Sequence, residues 1–278
     1  MLQEIQTMHL SRLLIILSIL LASCHGDIEK NITTDLQVEG NEIFNITLAL
    51  DESLAFAFRT FERYSNADTT AILGCPDILV DKDQKKVTLE FLGNRQCINE
   101  INLSRAGKIH LQFINQGTFN AVVMEYENYT VREKTIQGKR EFRQPRVSNS
   151  LNSNTRIETF EDLMVIDKNN SSSRINGEFE HRLTMQSSVV TEIISSGSLQ
   201  GRNITGRPIN MTRTQPKRYS ITCLEGGFFI PWQGSETWQV VRHTNQATTH
   251  QAIFEREIEC LSILNLTLHD GRTITYRQ

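Results

Sequence analysis

Four cysteines in the body of the chain, Cys75, Cys97, Cys223 and Cys260, are the residues whose number and spacing most directly imply chemistry. An even set suits disulfide formation in an oxidising compartment and allows three connectivities. Proximity along the chain favours Cys75 with Cys97 and Cys223 with Cys260, each bridge contributing roughly 3–4 kcal/mol through loop entropy. Zinc also takes four thiolates, but no Cys-x-x-Cys pair and no nearby histidine supports a site. His243 and His250 stand too far apart for a one-turn helical metal pair and read as loop residues. No G-x-S-x-G, H-E-x-x-H or G-x-G-x-x-G sequence occurs, so neither a catalytic nucleophile nor a cofactor is nominated. The densest aromatic cluster runs from Gly226 to Trp232 and includes Trp238. Exposed, Phe228, Trp232 and Trp238 would form a patch for a sugar ring or a partner protein; the alternative packs them as core beside a Cys223–Cys260 bridge.

The fifth cysteine, Cys24, stands at the end of an export signal. Arg12 precedes the apolar run Leu13 to Leu21, and the small residues Ala22 and Ser23 follow. A membrane-spanning helix needs about 20 apolar residues, so this run is too short to span. Leu21-Ala22-Ser23-Cys24 resembles the lipobox of bacterial lipoproteins, in which the thiol takes a diacylglyceryl group and becomes the new N-terminus. The alternative is an ordinary cleavage site before His25. The lipobox reading divides the chain into a removed signal peptide (1–23), a lipidated tether (24–42) and a single body (43–278). Two or three acyl chains then hold the protein on a membrane stably, where one holds it only marginally.

The body needs elements that can place these residues, and its hydrophobic period supplies them. The spacing predicts a strand over Ile43 to Leu50, then Asp51 as N-cap of one amphipathic helix, Glu52 to Tyr64, with Leu54, Phe58 and Phe61 on one face. From Ile78 onward the apolar period is two. Alternating runs at Ile78–Val80, Val87–Phe91, Ile109–Phe113, Phe119–Tyr126, Ile157–Val165, Ile175–Leu183, Val189–Ile194, Ile209–Thr222, Phe228–Trp232, Thr237–Val241, Ile253–Ile258 and Ile263–Tyr276 predict roughly a dozen strands. The fold class is therefore all-β: a long antiparallel meander, curled or folded into a sandwich or half-barrel, with one N-terminal amphipathic helix. The 29 basic and 32 acidic residues give a net charge of −3, and their interspersion leaves no basic stripe for nucleic acid. Asn-x-Ser/Thr triplets, Asn203-Ile204-Thr205 among them, are frequent and read as products of an Asn- and Thr-rich composition.

From Cys75 onward the chain resembles a family of envelope lipoproteins, largely from Bacteroidota, with an all-β body and no assigned activity. The resemblance rests on Leu89-Glu90-Phe91-Leu92-Gly93 before Cys97, on Arg105-Ala106-Gly107-Lys108-Ile109, and on Tyr126-Glu127-Asn128-Tyr129-Thr130-Val131 followed by Gly138. Gly197 to Gly206 and the turn Asp270-Gly271-Arg272 extend it. It carries no catalytic residues. The functional expectation is a non-enzymatic binding or structural module without a cofactor, held on the outer membrane by its N-terminal acyl chains, facing periplasm or surface, with a protein or glycan partner. Two rivals are a carrier of an apolar ligand, with the Leu54, Phe58 and Phe61 face lining a half-barrel cavity, and a hydrolase of envelope polymers.

Overall fold

The computed structural model describes residues 28–93, 104–116, 119–147, 150–151, 154–187, 189–243 and 246–278. The chain divides into two compact units at Glu39 and Gly40. Helix α1 (Ile28–Asp51) begins within the first and ends within the second. The short helices α2 (Leu54–Ala57) and α3 (Phe61–Ser65) follow. The strands are β1 (Asp77–Asp81), β2 (Lys86–Phe91), β3 (Arg105–Gln116), β4 (Phe119–Val131), β5 (Lys134–Gln144), β6 (Arg146–Val147), β7 (Ser150–Leu151) and β8 (Thr155–Ile166). Then come β9 (Ser172–Gln186), β10 (Val189–Arg202), β11 (Pro208–Ser220), the one-turn helix α4 (Ile221–Glu225), β12 (Gln233–His243), β13 (Gln246–Ile258), β14 (Leu261–Thr267) and β15 (Thr273–Arg277).

Thirteen strands form one antiparallel sheet in strict chain order, open at β1 and β15, while β6 and β7 pair apart. The all-β meander expected from the two-residue period is thus the fold, as a single sheet. Laid flat at about 4.8 Å per strand it would be roughly 60 Å wide, whereas a helix is only about 10–12 Å across. Yet the helical stretch after Gly40 touches strands along nearly the whole order. Phe44 stacks on Tyr276 of β15 with ring centroids 3.9 Å apart, Arg140 of β5 donates to Leu50 O at 2.9 Å, and Phe56 meets Phe91 of β2 at 5.8 Å. The sheet therefore curls around this helical stretch.

Local backbone irregularities produce the curl. Register shifts interrupt the pairing of β3 with β4, β4 with β5, β8 with β9, and β10 with β11. Each bulge tightens the local twist and bends its strand. Gly107 and Gly197 sit at two of these bends with φ of 88° and 142°; a Cβ there would meet Asn128 O at 2.1 Å and Glu178 O at 2.3 Å.

Three sequence expectations are corrected. Ile43 to Leu50 is helix, not strand, and from Ile46 to Ala57 every residue is buried. A segment buried on all sides has no polar face from which a period can be read. Asp51 ends α1 instead of capping the next helix, and the expected Glu52–Tyr64 helix is broken into α2 and α3. Ser53, at the head of α2, makes no side-chain cap because its hydroxyl pairs with Tyr126 Oη at 2.8 Å and accepts from Arg140 Nη1 at 2.9 Å. Phe228 to Trp232 is a loop that follows α4, not a strand.

An ionic network fixes the helical stretch inside the curl. Arg140 Nε donates to Glu158 at 2.6 Å, and His181 Nε2 meets the other oxygen of that carboxylate at 2.7 Å. Glu52 accepts from Arg105 at 3.2 Å and from Tyr129 at 3.1 Å. Lys217 Nζ bridges Asp51 at 2.9 Å and Glu236 at 2.6 Å. These side chains are all buried. Burial pushes the Glu52 carboxyl above its ordinary value despite Arg105 and Tyr129, and holds His181 below its own despite Glu158. Burial acts to raise Glu158 too, but Arg140 and His181 outweigh it and hold that carboxyl at about 2.

Because the folded value lies below the ordinary 4.5, the stability that Glu158 contributes is complete above pH 4.5 and is lost as the pH falls toward 2. Glu158→Gln leaves Arg140 buried without its counter-ion and is expected to lower stability by about 3–5 kcal/mol. Urea unfolding across that pH window checks both points: the wild type should lose stability steeply below pH 4.5, and the variant should show a shallower acid slope.

Candidate functional site

A cleft of about 770 Å³ opens at one end of the curl, within the size range of small-molecule sites. Its floor is aromatic. Phe61, the first residue of α3, meets Phe113 of β3 edge-on at 5.6 Å, and Phe58, between α2 and α3, meets Phe142 of β5 edge-on at 5.6 Å. Ala121 and Val122 of β4, Leu183 and Met185 of β9, and Val190 of β10 complete the apolar lining. The local sequence explains the helical part: Thr60 caps α3 by accepting from Arg63 N at 3.3 Å, which turns the Phe61 ring inward and leaves Glu62 and Arg63 outside. The sheet part comes from the ends of hairpins, where alternate inward residues reach the end of the curl.

The rim is cationic. Arg59, Arg63, Lys85 and Arg156 line the cleft, against one acidic residue, Glu62, among the described lining. Arg59 is held by Glu225 at 2.5 Å and by Ala71 O at 3.3 Å. Lys85 Nζ stands 4.6 Å over the Phe61 ring, so a positive charge sits at the edge of the aromatic floor. Arg156 donates to Thr155 O at 2.8 Å, and burial lowers its affinity for a proton. An apolar floor under a rim of cations suits a molecule with an aliphatic or aromatic body and an anionic head. The described lining contains no histidine, cysteine or serine. Among the described residues no group of His, Cys, Asp and Glu could hold a metal ion, and no helix is long and apolar enough to cross a membrane.

The sequence-derived candidates fall elsewhere. Cys24 and Cys97 lie outside the described residues. Cys75 is disulfide-bonded, and Cys223 and Cys260 form a disulfide with Cα atoms 5.2 Å apart. The aromatic cluster is dispersed: Trp238 is fully buried with its indole N–H donating to Glu236 at 3.0 Å, whereas Phe228 and Trp232 are half-buried near the Cys223–Cys260 bridge. Trp232 has the guanidinium groups of Arg218 and Arg256 at 4.7 and 4.5 Å from its ring. His250 is buried on β13 opposite Trp238. Asn203, first residue of a glycosylation triplet, is buried and accepts from Thr205 N, Thr205 Oγ1 and Arg207 N, so its amide builds a turn.

The sequence spacing sets Phe58 and Phe61 on one helix face, and both line the cleft; Leu54 is buried and is not among the described lining residues. Lys85, Phe113, Phe142 and Arg156 carry no local signal, since they come together only through the ends of strands distant in sequence. Comparison with protein-family models, with curated proteins and with solved structures finds no match.

The Cys223–Cys260 bridge closes 37 residues and fixes α4 and the loop after it against the turn between β13 and β14. Cys223→Ser with Cys260→Ser is expected to cost about 3–4 kcal/mol by loop entropy. Chemical denaturation would read the loss, and amide exchange should quicken first around Phe228 while the strands lining the cleft remain protected.

Proposed function

We propose that this protein is a lipid-anchored envelope protein of the Bacteroidota type that acts as a non-enzymatic binding module, and that its ligand is an amphipathic anion taken into the end cleft. The observation that carries this reading is the pairing of the Phe58, Phe61, Phe113 and Phe142 floor with the Arg63, Lys85 and Arg156 rim. An acyl chain buried against the floor gains about 0.8 kcal/mol per methylene group, and an anionic head at the rim fixes its direction. The anchor rests on the signal layout and on Cys24, and it directs the protein to the outer membrane. A carrier that stores an apolar molecule in the middle of the curl is less well supported, because the end of α1 and its ionic partners lie there. A hydrolase is also less well supported, because the described lining has no histidine, cysteine or serine and its Thr60 hydroxyl is engaged in capping α3.

Titration with a long-chain fatty acid and, in parallel, its methyl ester tests the cleft. The acid is expected to bind saturably at one site and about tenfold more tightly than the ester, a difference of about 1.4 kcal/mol. Val190→Trp, which fills the lining, should abolish uptake, and Lys85→Glu should erase the preference for the acid. Equal binding of acid and ester, or binding untouched by Val190→Trp, would exclude this ligand class. Fractionation of cells tests the anchor: the wild type should sediment with membranes, and Cys24→Ala should appear in the soluble fraction.

A further inference from the structure

We propose that Lys217 and Asp51 join through an intramolecular isopeptide bond, with Glu236 as the proton shuttle, so that strand β11 is covalently tied to the end of helix α1. The three side chains are each only 1% exposed, and Lys217 Nζ lies 2.9 Å from Asp51 Oδ2 and 2.6 Å from Glu236 Oε1. A nucleophile, an electrophile and a base thus sit within contact distance, away from water, as intramolecular acyl transfer requires.

The surroundings are built for this contact. Phe254 places its ring 4.3 Å from Nζ, and Gly234 of β12 makes room for the lysine, since a Cβ there would meet Lys217 Cα at 2.8 Å and Cγ at 3.0 Å. Trp238 Nε1 at 3.0 Å and Thr47 Oγ1 at 3.5 Å hold Glu236 by Oε2, which leaves Oε1 for the lysine. The other oxygen of Asp51, Oδ1, is buried and accepts no hydrogen bond of ordinary geometry; Arg213 Nη2 stands 3.8 Å from it, and the buried Tyr219 hydroxyl faces the same carboxylate. These two groups are placed to receive negative charge that develops on Oδ1.

The chemistry balances without an oxidant or a co-substrate. A proton passes from the Lys217 ammonium to Asp51 Oδ2, giving a neutral amine and a neutral acid in a site where burying two charges is costly. The amine lone pair attacks Asp51 Cγ, the C–N bond forms, and the carbonyl electron pair moves onto Oδ1. Glu236 takes the second amine proton and passes it to the Oδ2 hydroxyl, whose C–O bond breaks as Oδ1 reforms the carbonyl. One water leaves, and the product is a neutral amide. Arg213 Nε, 3.6 Å from Glu236 Oε1, remains as the counter-ion of the regenerated carboxylate. Burial acts to raise the Glu236 carboxyl, but Lys217 and Arg213 outweigh it and keep it below its ordinary value, so the group is ionised and has a lone pair to take the amine proton.

The test is peptide mapping of the full-length wild-type chain by mass spectrometry after reduction, alkylation and trypsin. The expected result is a branched peptide that joins the segment carrying Asp51 to the one carrying Lys217, lighter than their sum by one water, with no cleavage after Lys217. Asp51→Asn should give the same branched product through loss of ammonia. Glu236→Gln should give both segments unjoined, with the wild-type far-ultraviolet circular dichroism retained. Unjoined segments at their full masses in the folded wild type, or a loss of water that persists in Lys217→Ala, would overturn the proposal.

Discussion

Putting a helix inside a curled sheet forces charge and backbone polarity out of water, and the rest of this fold depends on how those groups are answered. Where α1 ends, its last carbonyls have no intrahelical donors. Arg140 answers one of them, at Leu50 O, and in the same reach pairs with Glu158 and donates to Tyr126 Oη at 3.0 Å and to the Ser53 hydroxyl. A cation at a helix C-terminus is favoured by the helix dipole, and more so in a low dielectric. Around it the buried carboxylates Asp51, Glu52, Glu158 and Glu236 face the buried cations Arg105, Arg140, Arg213 and Lys217. The balance matters more than the strength of any pair, because one uncompensated charge at this depth costs several kcal/mol.

Buried ion pairs are often less stabilising than apolar residues of the same volume, so stability alone does not account for this network. Register does. An apolar helix could slide or rotate within an apolar curl at little cost, whereas Asp51 meets β11, Glu52 meets β3 and Ser53 meets β4 and β5 in one position only. Among the described residues the sheet is open, with no closing pair of strands to fix its curvature. Contacts radiating from three successive residues of the chain to strands on opposite sides of the curl supply that missing constraint. Further down the helical stretch, Glu42 accepts from Ser173 of β9, and Asn41 accepts from Tyr276 of β15 at 2.7 Å, which extends the same positioning toward the far edge.

Much of the sheet was legible because its strands alternate, as in β2, where every second residue is buried. The failures have two physical sources. Strand β5 escaped notice because its inward positions, Ile136, Gly138, Arg140, Phe142 and Gln144, include a glycine, a cation and an amide where the period expects apolar side chains. In β11 the inward Arg213 and Lys217 look like ordinary surface charges, and only their partners 162 and 166 residues earlier, at Asp51, make them interior. Residues 46–57 were misread for the opposite reason, since complete burial erases periodicity. Both Cys223 and Cys260 were legible as a pair because disulfide chemistry marks its own residues. The cleft was half legible: its helix-borne phenylalanines shared a face, but its rim is assembled by topology.

The division between interior and end also separates what must be rigid from what can open. In the middle of the curl, charge-assisted hydrogen bonds hold the end of α1 against strands on several sides. At the cleft, α2 and α3 are only four and five residues long, and the lining belongs to the ends of hairpins, where ladder pairing stops. Short helices and strand ends are the elements that open at least cost. The part that faces solvent is α3, with Glu62 and Arg63 exposed and the Arg59–Glu225 pair beside it, whereas α2 is buried throughout and belongs with the interior through Ser53. A ligand can therefore part the end of the structure without disturbing the charges that define it, which is why an interior so polar is compatible with an apolar site next to it.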